Sequence, residues 1–287
     1  MALFQKKTLH DENKLEIVSD KSPFAYVEAY KTLRTNMNFI FRNNKYKKLV
    51  VTSSIPGEGK SSVSINLARV LAENGTRVIL IDCDMRKPML HKYLRAQRFR
   101  TRGLSTVLSG ISTLEDSVAT FSDLQFDLMT AGPIPPNPTE FLASEEMEHL
   151  LDFLAKQNDY VICDTPPVSV VTDAAILSQY NAGVILVVRQ KYATFKQAKK
   201  AKQNLENVHA DILGCVLNQY DVSKNVKETK QSSYYYYNYD YSNGLKRAQR
   251  IEKKKGIKST SIYSENGDRS TVDDYSTDAP EQNHSST

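Results

Sequence analysis

Short aliphatic and β-branched runs alternate with longer stretches of helical periodicity between residues 48 and 220. The runs are LVVTS, RVILID, FDLMTA, YVICD, GVILVV and ILGCVLN, and each is apolar along most of its length. Continuously apolar strands are typical of a parallel sheet that helices cover on both faces. The pattern therefore predicts a doubly wound α/β domain with a mainly parallel sheet.

Helices are predicted both between these strands and before them. Four stretches have the periodicity and length of helices, over residues 60–74, 139–157, 173–180 and 194–209. Gly75 is placed to end the first of them. Ahead of the sheet, Ser22 supplies an N-cap and Pro23 the first helical position, so a helix running to about Asn43 is expected.

The two ends of the chain lack this pattern. Residues 1–21 precede the first predicted helix, and residues 221–287 are rich in Ser, Asn, Lys and Asp without apolar periodicity. Such a composition buries too little apolar surface to offset the entropy lost on ordering. We expect a domain over residues 22–220, a flexible N-terminus before it and a flexible, disordered C-terminal tail over 221–287.

The composition narrows the class of protein. Hydrophobic residues make up 40% and charged residues 25% of the 287 positions, which excludes collagen-like, coiled-coil and wholly disordered chains. The formal net charge of +5 is too small to argue for a nucleic-acid partner, and none is expected.

The cysteines and the apolar runs help to predict the cellular compartment of the protein. Cys83, Cys163 and Cys215 each lie in a predicted strand, so buried thiols in a reducing compartment are expected instead of disulfides. The N-terminal residues lack the apolar stretch of a signal peptide, and no apolar run is long enough to span a membrane. A cytoplasmic location is therefore expected.

The strongest local signal follows the first predicted strand. Residues 54–61, SIPGEGKS, match the pattern G-x-x-x-x-G-K-[ST] except that Ser54 replaces the first glycine. In such a loop, backbone N–H groups converge on phosphates, the lysine reaches the β- and γ-phosphates, and the hydroxyl binds Mg²⁺. A strand before and a helix after favour this loop over an ordinary connection. The expected nucleotide contacts are Pro56, Gly57, Glu58, Gly59, Lys60, Ser61 and Ser62.

Acidic residues end two further predicted strands. Asp82 and Asp84 close the second strand, and Arg86 follows them. Two residues apart on an extended chain, the carboxylates are expected to point the same way, to hold Mg²⁺ and to accept a proton, while Arg86 meets a phosphate. Asp164 ends YVICD, the form of a Walker B strand whose aspartate orients hydrated Mg²⁺. The alternative is that these aspartates cap loops or helices.

Together these motifs resemble a known family, the BY-kinases, the bacterial tyrosine kinases of capsular and exopolysaccharide synthesis, in their cytoplasmic form. PGEGKS (56–61) is similar to the family's P-loop, ILIDCDMR (79–86) to its Walker A′ motif and VICDTPP (161–167) to its Walker B motif. GPIPPNPTEFL (132–142) also resembles a family segment. Partition and cell-division ATPases of the wider deviant-Walker group carry a signature lysine near the start of the loop, where residues 53–55 are Ser-Ser-Ile here. This difference favours the kinases.

The resemblance implies a P-loop kinase that uses ATP and Mg²⁺ to phosphorylate tyrosine. It assigns Lys60 and the loop backbone to ATP and makes Asp82 the acceptor of the tyrosine proton, with Arg86 at a phosphate. Asn218, just after the last strand, resembles the residue that contacts adenine in related ATPases. The implied Mg²⁺ ligands are Ser61, Asp84 and Asp164.

An N-terminal segment and several partners are also implied. Glu28, Lys31 and Arg34 resemble the family's E-x-x-R-x-x-R oligomerisation helix, with Lys31 in place of the first arginine. Their spacing puts them on one helix face, which suits a subunit interface or a solvated surface, and the resemblance favours the interface. A ring such as an octamer is implied, weaker because lysine lacks bidentate pairing. The implied partners are a transmembrane activator of the polysaccharide co-polymerase type, which recruits the kinase to the inner face of the plasma membrane, and a phosphotyrosine phosphatase.

Half of the 16 tyrosines lie beyond Gln231, and six of them form a cluster: Tyr234, Tyr235, Tyr236, Tyr237, Tyr239 and Tyr241. By the resemblance, a neighbouring subunit phosphorylates this cluster, because a flexible tail can reach across. The added negative charges are then expected to loosen the ring. The alternatives are an aromatic strand, or a stacking surface for single-stranded nucleic acid with the basic residues 246–258 beside it. Tyr263 and Tyr275 lie in an acidic segment beyond the cluster. This segment differs from the family pattern, in which the tail ends at the cluster.

Two functions of other classes remain open for the same residues. One is an ATPase switch in which hydrolysis controls dimerisation or surface binding and the tyrosines are incidental. The other is a regulatory module that binds nucleotide without chemistry. Phosphotyrosine formation separates the kinase from both, and ATP turnover separates the two from each other.

Overall fold

The computed structural model describes residues 15–41 and 46–220, and their strands form a single sheet. The strands are β1 Lys48–Ser53, β2 Val78–Asp82, β3 Val118–Phe121, β4 Phe126–Met129, β5 Tyr160–Asp164, β6 Ala182–Arg189 and β7 Ile212–Asn218. They lie in the order β3-β4-β2-β5-β1-β6-β7, and every neighbouring pair is parallel except the antiparallel pair β3 and β4. The predicted α/β fold with a mainly parallel sheet is confirmed.

The helices of the described residues follow most of the predicted stretches. They are α1 Phe24–Phe41, α2 Lys60–Ala72, α3 Leu90–Tyr93, α4 Leu104–Leu108, α5 Leu114–Ser117, α6 Pro138–Leu142, α7 Glu145–Gln157, α8 Asp173–Ser178 and α9 Phe195–Glu206. The prediction of a single helix over 139–157 is wrong, because the helical conformation is interrupted between α6 and α7. The hydroxyl of Ser144 accepts the N–H of Met147 at 3.2 Å and so caps a new helix. Asn43, the predicted end of α1, lies outside the described residues.

Apolar layers cover both faces of the central strands. Along β1, Leu49 and Val51 belong to the layer that contains residues of α1 and α2, whereas Val50 belongs to the layer that contains residues of α7, α8 and α9. All three side chains are fully buried. Because successive side chains of a strand point to opposite faces, burial of consecutive residues requires helices on both sides of the sheet.

The edge strand β7 departs from this burial. Its residues are half-buried or exposed among the described residues, and Cys215 is exposed, whereas Cys83 and Cys163 are buried. The prediction of three buried thiols is therefore wrong for Cys215, because a strand at the edge of the sheet has a sheet neighbour on one side only. Within the ranges that the structure covers, no helix is long and apolar enough to cross a membrane.

The strand order brings three predicted motifs to one edge of the sheet. β5 lies between β1 and β2, with Val51 opposite Asp164 and Asp82 opposite Asp164 in the two registers. Because these strands are parallel, their carboxyl ends share the edge where open α/β sheets bind ligands. The phosphate-loop candidate after β1 and both aspartate motifs therefore meet there.

Candidate active site

The loop between β1 and α2 has the backbone of a phosphate-binding turn. Gly57 and Gly59 adopt left-handed conformations, with φ of 86° and 84°, and α2 begins at Lys60. Glycine enters this region without the steric penalty of a side chain, so the chain can turn sharply into the helix. The free N–H groups at the start of a helix of this length form an anion site when a glycine-rich loop precedes it. The predicted strand, loop and helix are all present.

The side chain of Glu58 fixes this loop through hydrogen bonds. Its carboxylate is fully buried and accepts the hydroxyl of Ser54 at 2.6 Å and the N–H of Ile55 at 2.8 Å. It also accepts the N–H of Arg189, at the end of β6, at 3.1 Å. Of the predicted nucleotide contacts, Glu58 thus has only its backbone available, because its carboxylate joins the start of the loop to the end of β6.

Replacing Glu58 by Gln is expected to weaken this tie. An amide offers one acceptor oxygen and turns an N–H₂ group towards a backbone N–H, which leaves a buried donor unpaired at a cost of about 1–3 kcal/mol. We expect the free energy of unfolding to fall by that amount and ATP affinity to fall by about tenfold. Urea unfolding and calorimetric titration with Mg-ATP measure the two effects. Glu146→Gln, at an exposed position of α7, is the matched control, and equal behaviour of the two variants contradicts the bracing role.

Lys60 lies between the carboxylates that end the two other motifs. Its Nζ is 3.2 Å from Oδ2 of Asp84 and 3.8 Å from Oδ2 of Asp164, and it lies 3.4 Å from Oγ of Ser61. Burial alone lowers the pKa of Lys60, but the charges of Asp164, Asp84 and Asp82 outweigh burial and raise it above its ordinary value. The side chain is therefore a persistent ammonium group at this edge of the sheet.

Asp164 is held by hydroxyl groups of α2. Burial raises its pKa, which the charge of Lys60 and hydrogen bonds from Ser61 and Ser64 only partly offset. The Ser64 hydroxyl lies 3.0 Å from Oδ1 of Asp164. Ser64 was not among the predicted site residues. Its place one helical turn after Lys60 is the sequence signal that identifies it.

The carboxylates of Asp82 and Asp84 point in different directions. Oδ1 of Asp82 accepts the N–H of Asp84 at 3.2 Å, and Oδ2 accepts the N–H groups of Met89 and Leu90 at 3.1 and 3.0 Å. The prediction that the two side chains point the same way is wrong, because β2 ends at Asp82 and Asp84 lies in the following turn. Burial and the charge of Asp164 raise the pKa of Asp82 to about 8.

The charges and donor atoms suit a hydrated Mg²⁺ ion. The Lys60 ammonium lies within 4 Å of two buried carboxylates, those of Asp84 and Asp164, so it leaves negative charge that a divalent cation can offset. Asp84, Asp164 and the hydroxyl of Ser61 offer oxygen ligands, which Mg²⁺ prefers. The described residues contain no cage of three or more acidic, histidine or cysteine ligands. Nucleotide sites do not need one, since water and phosphate complete the coordination of Mg²⁺.

Arg86 is anchored away from this cluster. Its Nε lies 3.3 Å from Oδ2 of the fully buried Asp173, at the start of α8, and its Nη2 donates to the Thr139 hydroxyl of α6 at 2.6 Å. The predicted contact of Arg86 with a phosphate therefore competes with an existing ion pair. Asp173 and Thr139 were not predicted, because no local pattern links them to Arg86.

Asn218 and Tyr192 lie against the other side of the loop. The amide of Asn218 donates to the carbonyl of Glu58 at 2.8 Å, so the predicted adenine contact is adjacent to the phosphate loop. A Cβ atom placed on Gly57 would lie 2.6 Å from the hydroxyl of Tyr192. The Arg189 guanidinium lies 4.6 Å from the centre of the Tyr192 ring. Neither Tyr192 nor Arg189 was predicted here.

The predicted oligomerisation residues lie on α1. Lys31 pairs with Glu28 at 2.9 Å, and both side chains are about half-buried. Arg34 instead forms an ion pair with Glu73 and donates to the carbonyl of Val70 at the end of α2. Within the described residues Arg34 thus fastens α1 to α2. The six tyrosines of the cluster lie outside the described residues.

Comparison with known proteins first defines the class. The ParA family model, described as "NUBPL iron-transfer P-loop NTPase", matches residues 44–270 of this chain. The solved structure of the cell-division ATPase MinD from Pyrococcus furiosus shares the fold, with a TM-score of 0.52 at 22% identity over 61% of this chain and 72% of that one. A P-loop NTPase of the ParA type is the class that the fold and the site define.

Closer relatives define the family. Tyrosine-protein kinase YwqD of Bacillus subtilis (strain 168) is 40% identical over 210 residues, which is 73% of this chain and 85% of the relative. The kinase domain of Escherichia coli tyrosine kinase ETK has a TM-score of 0.65 at 30% identity, covering 76% of this chain and 87% of that one. This chain belongs to the bacterial tyrosine-protein kinase family. The match to tyrosine-protein kinase wzc of Salmonella typhimurium is 33% identical over 77% of this chain but covers 30% of that protein.

Proposed function

We propose that this chain is an ATP-dependent tyrosine autokinase that phosphorylates its own C-terminal tyrosine cluster in trans. The observation that carries the proposal is the position of Lys60 between Asp84 and Asp164 at the start of α2, in a chain that also carries six clustered tyrosines. Relatives named as tyrosine kinases, one of them the putative kinase CapB of Staphylococcus aureus, 34% identical over 77% of this chain and 93% of its own length, support the same activity. Through it, the chain regulates capsular or exopolysaccharide synthesis and export.

The loop binds the phosphates of Mg-ATP, and the acidic residues near Lys60 bind its metal ion. Backbone N–H groups of residues 57–61 and the Lys60 ammonium bind the phosphates, with Pro56 and Ser62 flanking them and Asn218 at the adenine. Ser61, Asp84 and Asp164 hold Mg²⁺, which when bound neutralises the charge that develops on the transferred phosphoryl group. Phosphoryl transfer depends mainly on such positioning and charge compensation.

The transfer itself moves one phosphoryl group and one proton. The tyrosine oxygen forms a bond to the γ-phosphorus while the bond between that phosphorus and the β–γ bridging oxygen breaks, which releases ADP. In this proposal Asp82 receives the phenolic proton in its carboxylate form, and its raised pKa, about 8, makes that carboxylate a stronger base than an ordinary aspartate. Its carboxylate must first leave the backbone N–H groups of Met89 and Leu90. Arg86 similarly reaches a phosphate only by leaving Asp173.

Assembly is proposed to control the reaction. Glu28, Lys31 and Arg34 form the interface of a ring of copies, with Arg34 exchanging its contact with Glu73 for one across the interface. A transmembrane activator of the polysaccharide co-polymerase type recruits the chain to the inner face of the plasma membrane. A phosphotyrosine phosphatase reverses the modification, and phosphate charges on the cluster loosen the ring.

Mixing two variants tests transfer between copies. One chain carries Lys60→Met and the intact cluster, and the other retains Lys60 but has Phe at all six cluster positions. Mass spectrometry after incubation with Mg-ATP, with and without the activator's cytoplasmic segment, is expected to find phosphate on the Lys60→Met chain only in the mixture. Unmixed wild-type protein is the positive control.

The other outcomes of this experiment identify the rival functions. Phosphate on the wild-type chain but none on the Lys60→Met chain in the mixture contradicts transfer in trans. ATP hydrolysis without phosphotyrosine in any sample identifies an ATPase switch. ATP binding without hydrolysis identifies a regulatory module.

A further inference from the structure

A cleft opens beside the turn that carries Asp84. Its volume is about 840 Å³, and five of its eleven lining residues carry basic side chains. The residues that matter for its chemistry are Arg86, Lys87, His91, Lys92, Arg100 and Ile134. A cleft of this volume accommodates several residues of an extended peptide.

The cleft carries positive charge that the described residues leave unpaired. Lys87, Lys92 and Arg100 are exposed and form no ion pair with any described residue, and no acidic side chain lines the cleft. Burial lowers the pKa of His91, and the charges of Lys92 and Arg100 lower it further. A concave surface lined by one sign of charge attracts ligands of the opposite sign.

The cleft is adjacent to the candidate active site. The N–H of Lys87 donates to Oδ1 of Asp84 at 3.0 Å, while Oδ2 of the same carboxylate contacts Lys60. Ile134, which also lines the cleft, is 63% exposed and offers an apolar contact for an aromatic ring. A peptide that lies in the cleft is therefore close to the edge of the sheet where the phosphates are expected.

We propose that this basic cleft binds acidic peptide segments that carry a further acceptor tyrosine, in addition to the tyrosine cluster of the proposed function. The inference rests on the proposed kinase function and names the substrate class of the same site. Its occupant is residues 271–281 of a second copy, TVDDYSTDAPE, in which four acidic residues and no basic residue surround Tyr275. The preceding residues 246–258 hold seven basic residues and one acidic residue, so the same cleft repels them.

Binding of a labelled peptide without nucleotide tests the cleft directly. The protein is the full chain with Asn or Gln at its own four acidic positions in 271–281, so that its own segment does not compete. Fluorescence anisotropy is expected to show affinity about tenfold higher for the acidic peptide than for the same peptide with Asn and Gln. Lys92→Glu with Arg100→Glu is expected to remove that preference. Lys199→Glu with Lys200→Glu is the matched control, because α9 contributes no residue to the cleft.

A charge exchange separates a lost site from a misfolded variant. A peptide with Lys at the four acidic positions is expected to bind the Lys92→Glu, Arg100→Glu protein better than the wild-type cleft, and a misfolded protein cannot show this gain. Equal affinity of the acidic and neutral peptides overturns the proposal, as does equal loss in the α9 control. Displacement of the peptide by an equal concentration of oligothymidylate also overturns it, by showing a general polyanion surface.

The kinase assay distinguishes failure of this proposal from failure of the proposed function. If the acidic peptide binds the cleft but no tyrosine is phosphorylated with Mg-ATP, the proposed function fails and the peptide site stands. If acidic and neutral peptides are phosphorylated with the same kcat/KM, the kinase stands and the cleft proposal fails. Selective phosphorylation of Tyr275 in the acidic peptide, reduced about tenfold by Lys92→Glu with Arg100→Glu, supports both.

Discussion

Lys60→Met is expected to lower tyrosine autophosphorylation by about 10³-fold, the largest effect of any single change at this site. Lys60 is the one cation of the described residues that lies within 4 Å of both Asp84 and Asp164. Methionine has a similar length but no charge, so the phosphates lose a counter-charge while the buried volume is kept. Mass spectrometry of phosphotyrosine after incubation with Mg-ATP measures the loss.

The Lys60→Met variant is expected to remain folded. Without the ammonium the pKa of Asp164, already raised by burial, rises further, which favours the neutral carboxyl over an isolated buried charge. Thermal unfolding followed by circular dichroism checks this. Lys156→Met, at an exposed position in the last turn of α7, is the control for loss of a lysine. Retained phosphotyrosine in a folded Lys60→Met protein contradicts the assignment of Lys60.

The central strands were predictable because each one can be recognised from its own short stretch of sequence. An apolar run buried on both faces, such as β5, stands out from its polar surroundings regardless of what packs on it. β3 was not predicted, because its four residues form a short antiparallel edge strand whose identity depends on pairing with β4. β7 was predicted as a strand, but the exposure of its side chains was not predicted. That exposure depends on the position of β7 at the edge of the described sheet, with no strand beyond it.

The site was predictable as far as its residues follow strand ends. Lys60 and Asp164 lie close together because the parallel strands that lead to them end at the same edge of the sheet. The sequence motifs, combined with a parallel strand order, are enough to predict this proximity. The direction of Asp82 was not predictable, since it depends on the turn that brings the N–H groups of Met89 and Leu90 to its carboxylate. The pair of Arg86 with Asp173 joins residues 87 positions apart, and no local pattern encodes such a contact.

Gly59→Ala is expected to reduce ATP affinity by about 100-fold through two separate effects. The residue has φ of 84°, where a side chain costs about 1–2 kcal/mol. The new Cβ would also lie 2.2 Å from Nδ2 of Asn218, whose amide is bonded to the carbonyl of Glu58. The methyl group must therefore displace Asn218 and break that bond. Calorimetric titration with Mg-ATP measures the affinity.

A set of variants separates the contact from the backbone strain. Gly59→Ala combined with Asn218→Ala removes the collision and is expected to bind ATP more tightly than Gly59→Ala alone, and Asn218→Ala alone gives the reference for the lost amide. Gly75→Ala is the matched control for strain, because Gly75 has φ of 81° with no atom within 4 Å of the added Cβ. We expect it to lower the free energy of unfolding by about 1 kcal/mol and to leave ATP affinity unchanged. No recovery in the double variant shows that Asn218 does not limit the space at the phosphate loop, which leaves backbone strain as the whole effect.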